Sequence, residues 1–472
     1  MGKLFNEGET KDRPGVYRRS TSNQSVNVAG ATDGVCAVAF AADWGPLGVV
    51  TVHEPASLVE NVYGTGGTVK KSASRLVEGG AAVIYAYRMG TGGKQATLNL
   101  TDSSDGVCVK LTQKYVCAKA LSVTVRAKLG DASYKEFIAY DGAKELERLT
   151  FAAGEGESDA LVDVITRRSS YFLAEKGASS TGIIEAVTQQ AATGGQDPAV
   201  TNEDYSAAFT AFEPFMHKIN TICVDTDSTA VHALLASYLD RVYEAGGTMM
   251  GVIGEPTSVT LDDRMDHAAA FNDEKIIYVG GAYKDASGNT VEGAEAAALV
   301  SAIIASTPSK GSVVHYVIPG AVDLAESITD AKYSEAIRKG MLLFSASASG
   351  NIWIDSGVNT LISPSADQDD GWKKIKRTKT RFELYRRIDA TLDPLSGKIN
   401  CNPDGVANVI SVAKDVIDAM VTEEKLAAAS TIYEDPKNAY KGDSAWFVLE
   451  VYDFDTLEKI YTTYVHNFNA EA

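Results

Sequence analysis

Between residues 205 and 365, uniformly apolar runs alternate with alanine-rich stretches of helical pattern. The runs are INTICVD, MMGVIGE, KIIYVGG and SVVHYVIPG; the stretches include TAVHALLASYLDRVYEAGG and AEAAALVSAIIAST. A strand that is apolar at successive positions buries both of its faces, because its side chains alternate across the sheet. Helical segments between such runs are long enough to cross from one parallel strand to the next. Residues 196–365 are therefore expected to form an α/β domain, with SVVHYVIPG as one of its strands.

The flanking regions read differently. Residues 1–25 carry Arg13-Pro14-Gly15-Val16-Tyr17 and then a polar run with almost no apolar periodicity, the pattern of an extended arm. Residues 26–90 hold apolar runs broken by Gly, Asp and Pro. A helical stretch near 70–78 follows, closed by Gly79-Gly80, and then the buried-strand run AAVIYAYRM. Between 91 and 195 the short runs VCVKLTQ, SVTVRAK and YKEFIAY alternate with a period of two, which favours a small β-sandwich. AATGGQDPAVTNED (191–204) looks like a boundary. Residues 366–455 open on a basic helix, GWKKIKRTKTRFELYRRIDATLD, followed by a second helix near 406–422. WFVLEVYDF and KIYTTYVHNF are expected to close the chain as a strand pair, the latter in a C-terminal segment, 456–472. The fold class is multidomain α+β.

Composition excludes several functions. Asp and Glu outnumber Lys and Arg by 62 to 44, for a net charge of −18 over 472 residues. A surface of that sign repels nucleic acid and anionic lipid. The N-terminus lacks the apolar core of a signal peptide, and no run is apolar enough to span a bilayer, so no membrane anchoring is expected. The 5 cysteines are widely spaced without a C-x-x-C pair, which points to reduced, buried thiols in a protein made in a cytoplasm.

Motifs for chemistry fail on inspection. Gly64-Thr65-Gly66-Gly67 precedes Lys70-Lys71-Ser72, but a phosphate loop needs Gly directly before its Lys-Ser. A serine hydrolase is the competing reading for the α/β region, which contains His217, His232, His267 and His315. None of its serines sits in a G-x-S-x-G elbow. His315 reads as a core residue inside an apolar strand, and His232 as packing on an Ala/Leu-rich helix. The histidines lack metal-ligand spacing, and Asp367, Asp369 and Asp370 fit a helix N-terminus as well as a cation loop. No catalytic residue, metal or cofactor is expected.

In its order of motifs the chain resembles the tail sheath proteins of contractile phages and related contractile injection systems. The resemblance rests on Arg13-Pro14-Gly15-Val16-Tyr17 near the start and on Trp44-Gly45-Pro46 after an apolar strand. It also rests on LVENVYGTGG followed by SASRLVEGGAAVIYAYRM, and on the basic helix, second helix and strand pair at the C-terminal end. The resemblance implies a subtilisin-like α/β region with no implied activity. It implies a core domain discontinuous in sequence, made of 26–90 with 366–455, into which the sandwich and the α/β domain are inserted.

The resemblance further implies a structural subunit, not an enzyme, that polymerises in stacked hexameric rings around a tail tube and contracts. Its partners would be copies of itself, the tube protein, and baseplate and terminator proteins. It would act in a virion tail or tail-like particle assembled in a bacterial cytoplasm. The N-terminal arm (Pro14, Gly15, Val16, Tyr17, Arg18, Arg19) and the C-terminal arm (Ile460, Tyr461, Thr462, Thr463, Tyr464, Val465) would add strands to neighbouring subunits. The C-terminal run is rich in β-branched and aromatic residues, which suit a donated strand; pairing inside its own subunit is the alternative. On the basic helix, Ile375, Phe382, Tyr385, Ile388 and Leu392 fall on one apolar face. Lys373, Lys374, Arg377 and Arg381 are candidates to face the tube or adjacent sheath subunits; pairing with local acids is the alternative. Another arm-exchanging shell or tube protein remains an open reading.

Overall fold

The computed structural model describes residues 33–179 and 181–466, together with the backbone of 3–4 and 17–18. The described body begins with Val35–Phe40 (β1), in which Val35, Ala37 and Ala39 are buried on one face and Cys36, Val38 and Phe40 on the other. Val50–His53 (β2), Ala73–Glu78 (α1) and Val83–Arg88 (β3) follow; β3 runs parallel to β1, and β2 is antiparallel to β3. Gly79 caps α1 and Gly80, at φ +91, turns the chain out of it, as the Gly79-Gly80 pair predicts.

Two antiparallel sheets come next. Their strands are Thr97–Thr101 (β4), Val107–Gln113 (β5), Ser122–Lys128 (β6), Asp131–Asp141 (β7), Lys144–Ala152 (β8), Phe172–Lys176 (β9) and Val187–Ala191 (β10). One sheet has the order β8-β7-β6-β10 and the other β9-β5-β4. Leu98, Leu100, Val109, Val123, Val125 and Phe137 fill the core between them, joined by Leu161 and Ile165 of the helix Glu157–Arg168 (α2).

The alternating region supplies Asn202–Phe212 (α3), Thr221–Val224 (β11), Thr229–Glu244 (α4), Met250–Gly254 (β12), Leu261–Phe271 (α5), Ile276–Val279 (β13), Gly293–Ser306 (α6) and Met341–Leu342 (β14). These strands join the N-terminal ones in a single seven-stranded sheet ordered β14-β13-β12-β11-β1-β3-β2, parallel except for β2. Helices α3, α4 and α5 cover one face, and α1 and α6 the other. Helix α6 is buried around its whole circumference, since α1 packs on its outer side. Gly79 permits that approach: a Cβ there would sit 2.5 Å from the Leu299 carbonyl oxygen and 2.7 Å from Ala302 Cβ.

Three expectations are corrected. The 33–90 unit shares its sheet with the α/β region, through the β1–β11 pairing of Cys36 with Thr221 and Val38 with Cys223, and not with the C-terminal third. Both β1 and β11 are apolar on two faces, so each completes the other's burial. SVVHYVIPG is not a strand: Tyr316 N–H donates to the Val313 carbonyl, His315 has φ +59, and the sheet position beside β13 is taken by Met341–Leu342. The ring of His315 stacks on Trp353 at 4.1 Å.

The sequence pieces Trp44-Gly45-Pro46 and Tyr87-Arg88 meet in space. The Arg88 guanidinium, fully buried at the end of β3, donates to the carbonyls of Ala42 (2.8 Å), Gly45 (2.7 Å) and Val116 (2.6 Å). A planar five-donor fork suits three converging acceptors. It fixes the 42–46 turn and ties the main sheet to the sandwich. Trp44 seals the same junction, with ring centroids 5.2 Å from Tyr115 and 5.7 Å from Tyr171.

The C-terminal third consists of Ile375–Leu392 (α7), Pro403–Thr422 (α8), Thr431–Glu434 (β15) and Phe447–Glu450 (β16). In the third correction, β16 pairs antiparallel with β15, and residues 459–466 form no strand. Helix α7 is fastened under the C-terminus of α6 by Lys379. This buried amine donates to the carbonyls of Ile304 (2.5 Å) and Thr307, where a cation complements the helix end. Burial pushes the Lys379 amine down to about 8.

Candidate assembly surface at the C-terminal arm

Helix α7 is apolar on two sides rather than one. Ile375 and Phe382 enter the core beneath α6, while Leu384, Ile388 and Leu392 pack toward α8 and the β15–β16 hairpin. Its charged residues therefore lie along the seams, and each of the four basic candidates has an acidic partner in the same chain. Lys373 reaches Asp370 at 2.9 Å, and Lys374 reaches Asp455 at 2.6 Å and Glu458 at 3.0 Å. Arg377 grips Asp453 with two bonds of 2.7 Å. Arg381 meets Glu274 at 2.5 Å, with its guanidinium 3.7 Å above the centre of the Trp372 ring. Further along, Arg387 forks onto Glu423 with two bonds of 2.8 Å.

These pairs hold the root of the C-terminal segment. After β16 the chain returns along the first turn of α7, where Asp453, Asp455 and Glu458 are taken in turn by Arg377 and Lys374; Ser312 adds a hydrogen bond to Glu458 at 3.2 Å. Burial opposes the Asp455 charge, but the hydrogen bond and charge of Lys374 outweigh it and hold the carboxyl below the usual range. Its hydrogen bonds to the Asp453 carboxylate, working against burial, raise the Arg377 guanidinium above its ordinary value. Asp369 and Gly371 shape the turn beneath it, and Gly371 lies so close that a Cβ would fall 1.3 Å from Arg377 Nη1.

Beyond Glu458 the segment leaves the body. Ile460 is 73% exposed, Tyr461 90%, Tyr464 79% and Val465 78%, and Thr462 and Thr463 are exposed between them. Isolated exposed apolar residues are ordinary, but four within six residues form a surface that water disfavours. Close by, β15 and β16 form a sheet of two strands; among the described residues neither outer edge is paired. Tyr433 and Trp446 stand exposed on it. An unpaired strand edge and an exposed run of β-branched and aromatic residues are features that strand addition uses.

At the other terminus, Tyr17 and Arg18 pair in parallel with Lys3 and Leu4. Pro14, Gly15, Val16 and Arg19 lie outside the described residues. The histidines of the α/β region have partners of other kinds. His232 Nε2 lies 3.1 Å from the Thr226 carbonyl and His267 Nδ1 lies 2.9 Å from Glu255; among the described residues neither meets a serine hydroxyl.

Sequence reasoning missed the acid partners. Asp453, Asp455 and Glu458 lie about eighty residues from the cations they hold, and no spacing rule links them; their clustering just before the arm was the available signal. It also paired β16 with the arm instead of with Thr431–Glu434, a run of only four residues.

With this geometry in place, comparison with known proteins gives the class: the fold is that of contractile-tail sheath proteins. The sheath tail protein of Desulfitobacterium hafniense superposes with a TM-score of 0.71 at 18% identity, covering 93% of this chain and 100% of that one. The helical sheath of the anti-feeding prophage in its contracted state gives 0.54 at 11% identity, over 97% of this chain and 100% of that one. In sequence, the uncharacterized protein YqbK of Bacillus subtilis is 22% identical over 417 residues, 84% of this chain and 82% of that one. Residues 198–360 match the family model of the phage tail sheath protein central domain. Residues 198–360 are thus similar to the central domain of the phage tail sheath proteins, within a fold like that of the sheath proteins.

Proposed function

We propose that this protein is the sheath subunit of a contractile tail or injection device. It polymerises in stacked hexameric rings around an inner tube, joined to a baseplate at one end and a terminator at the other. Copies are linked by terminal arms that add strands to neighbouring subunits, and contraction drives the tube through a target envelope. The observation that carries the reading is the C-terminal segment, pinned at Glu458 and apolar and unpaired beyond it, beside a hairpin with open edges. The likeness to a sheath in its contracted state supports the same reading.

The energetics suit a linker. Each hydrogen bond of an added strand contributes about 0.5–1.5 kcal/mol net, while ordering the arm costs about 1–2 kcal/mol per residue. Main-chain bonds alone leave the joint marginal, and burial of Ile460, Tyr461, Tyr464 and Val465 supplies the surplus at about 1.5–3 kcal/mol for each fully buried large side chain. A joint of this kind is stable in a repeating lattice and weak between two free subunits. Such links keep subunits connected while their bodies rotate, and the two-state repacking of the bodies stores the work of contraction in subunit contacts. Lys374 and Arg377 act here as the clamp that aims the arm.

The test is assembly of the full chain, of a chain lacking 459–472, and of a chain lacking 1–22, followed by electron microscopy. Sleeves of six-fold rings from the full chain, and folded but unpolymerised subunits from either truncation, are expected. Normal sleeves from both truncated chains would overturn the arm-linked reading.

A further inference from the structure

Both terminal segments are rooted where the end of α6 meets α7. Residues 1–32 enter the body at Asp33-Gly34, where the Gly34 N–H donates to the Ala305 carbonyl of α6 (2.9 Å) and the Gly34 carbonyl accepts from the Ala82 N–H (2.9 Å). The Lys379 amine of α7 reaches the same Ala305 carbonyl at 3.4 Å, beside the Ile304 and Thr307 carbonyls that it also binds. Two residues earlier on α7, Arg377 grips Asp453, and Lys374 at the N-cap holds Asp455 and Glu458. On a helix of about 3.6 residues per turn, positions 377 and 379 stand about 200° apart around the axis and about 3 Å apart along it. The two arm roots are therefore tied to opposite sides of one turn, the C-terminal one directly and the N-terminal one through the Ala305 carbonyl.

We propose that α7 couples the two arms: an N-terminal arm engaged with a neighbouring copy holds Asp33-Gly34 in place, Lys379 passes that order to the first turn of α7, and the C-terminal root at 453–458 tightens. The inference rests on the arm-exchange reading and adds an order of events to it. A subunit already engaged by its N-terminal arm offers the next copy a C-terminal arm aimed by a firm root, whereas a free subunit offers a looser one. Growth from the end of a sleeve is then favoured over pairing of free subunits.

The charges at the junction make Lys379 the coupling element. Its amine is buried, and among the described residues no carboxylate is hydrogen-bonded to it, so main-chain carbonyls hold it. Burial lowers the amine toward neutrality, and the charges of Asp33 and Glu383 counter that cost. Asp33 is thus both the entry point of the N-terminal segment and a counter-charge for the cation on α7. Drawing Asp33 away leaves a buried cation less compensated, which weakens the grip of α7 on the end of α6. The next turn of α7 stays attached: Thr380 Oγ1 donates to the Ser309 carbonyl at 3.1 Å, and Ser309 Oγ donates to Glu383 at 2.5 Å. When the grip at Lys379 loosens, α7 pivots on these bonds and carries Arg377 and Lys374 with it. Such coupling is reciprocal, so an engaged C-terminal arm tightens the N-terminal root by the same factor.

The experiment is hydrogen exchange with mass spectrometry on unassembled full-length subunits, read at 453–458 and, as a control, at the sandwich strands. Asp33→Asn should speed exchange at 453–458 about five-fold or more, the lower end of ordinary site-to-site coupling. Lys379→Met should give the same rise by itself, with no further effect of Asp33→Asn. Lys379→Arg keeps the cation and should keep the response to Asp33→Asn. Asp33→Asn alone decides the matter if Lys379→Met does not fold. An unchanged rate at 453–458 in Asp33→Asn, a rise shared equally by the sandwich strands, or a response to Asp33→Asn that persists in full in Lys379→Met overturns the coupling. Assembly of the chains lacking 1–22 and 459–472 separates the two failures. If those truncations block assembly while exchange at 453–458 ignores Asp33→Asn, the coupling alone is wrong; if exchange responds as expected while both truncated chains polymerise, the roots are coupled and the arm-exchange reading falls.

Discussion

Replacing Arg88 by Met tests how the sheet and the sandwich are joined. The guanidinium is fully buried and makes three hydrogen bonds of 2.6–2.8 Å to main-chain carbonyls; among the described residues no carboxylate is bonded to it. Hydrogen bonds to a charged group contribute about 1.5–3 kcal/mol each, so the three sum to roughly 5–9 kcal/mol. Against this stands the desolvation of a buried cation, several kcal/mol; the same burial pulls the Arg88 guanidinium below its ordinary value. Methionine removes both terms but leaves three buried carbonyls without donors, each costing about 1–3 kcal/mol. The net expectation is a loss of at least about 3 kcal/mol. Lysine keeps the charge but cannot span three acceptors with one ammonium, and should lose about 2 kcal/mol. Urea titration followed by tryptophan fluorescence reads the effect, because Trp44 sits in the junction against Tyr115 and Tyr171. Hydrogen exchange should rise around Val116 first. An Arg88→Met subunit within about 0.5 kcal/mol of the parent, in the range of an ordinary surface change, would refute this account of the junction.

Other perturbations probe the remaining contacts. Gly79→Ala pushes a Cβ against the Leu299 carbonyl and should cost about 1–3 kcal/mol in the same titration. Arg377→Ala strips Asp453, only 11% exposed, of its two-bond partner; a loss of about 2 kcal/mol and faster proteolysis between 455 and 466 are expected. Acid should act on the same clamp. The Asp455 carboxyl is held below the usual carboxylate range when paired, so its contribution is complete above that range and is lost as pH falls through the lowered value. Glu423, held down at about 2 chiefly by its hydrogen bond from Arg387, keeps its pairing to lower pH. Proteolysis of the arm should therefore accelerate on acidification before α7 and α8 separate.

Patterns that depend on local periodicity were readable in the sequence. The apolar runs at 221–224, 250–254 and 276–279 become β11–β13, and the alternating runs at 107–113, 122–128 and 134–140 fall in sandwich strands. What escaped were choices among partners distant in sequence. The β1 strand could have paired with any apolar strand; it pairs with β11 because both bury two faces. The apolar letters of SVVHYVIPG do not make a strand once Met341–Leu342 fills the place beside β13. The basic run on α7 left an outward-facing role and pairing with local acids both open in the sequence; the structure spends Lys379 on the end of α6 and Arg377 on Asp453. The exposed C-terminal run was legible by its β-branched and aromatic content, whereas the cleft beside α7 was not, since its lining is gathered from residues as far apart as Thr248, Arg381 and Leu449.

A side-chain-resolution reconstruction of the polymerised full chain measures the central claim directly. The account predicts residues 459–466 as a strand hydrogen-bonded to the β15–β16 hairpin of an adjacent copy, still rooted at Lys374 of its own. Density that turns residues 459–466 back onto their own subunit, with that hairpin left as two strands throughout the sleeve, would contradict it.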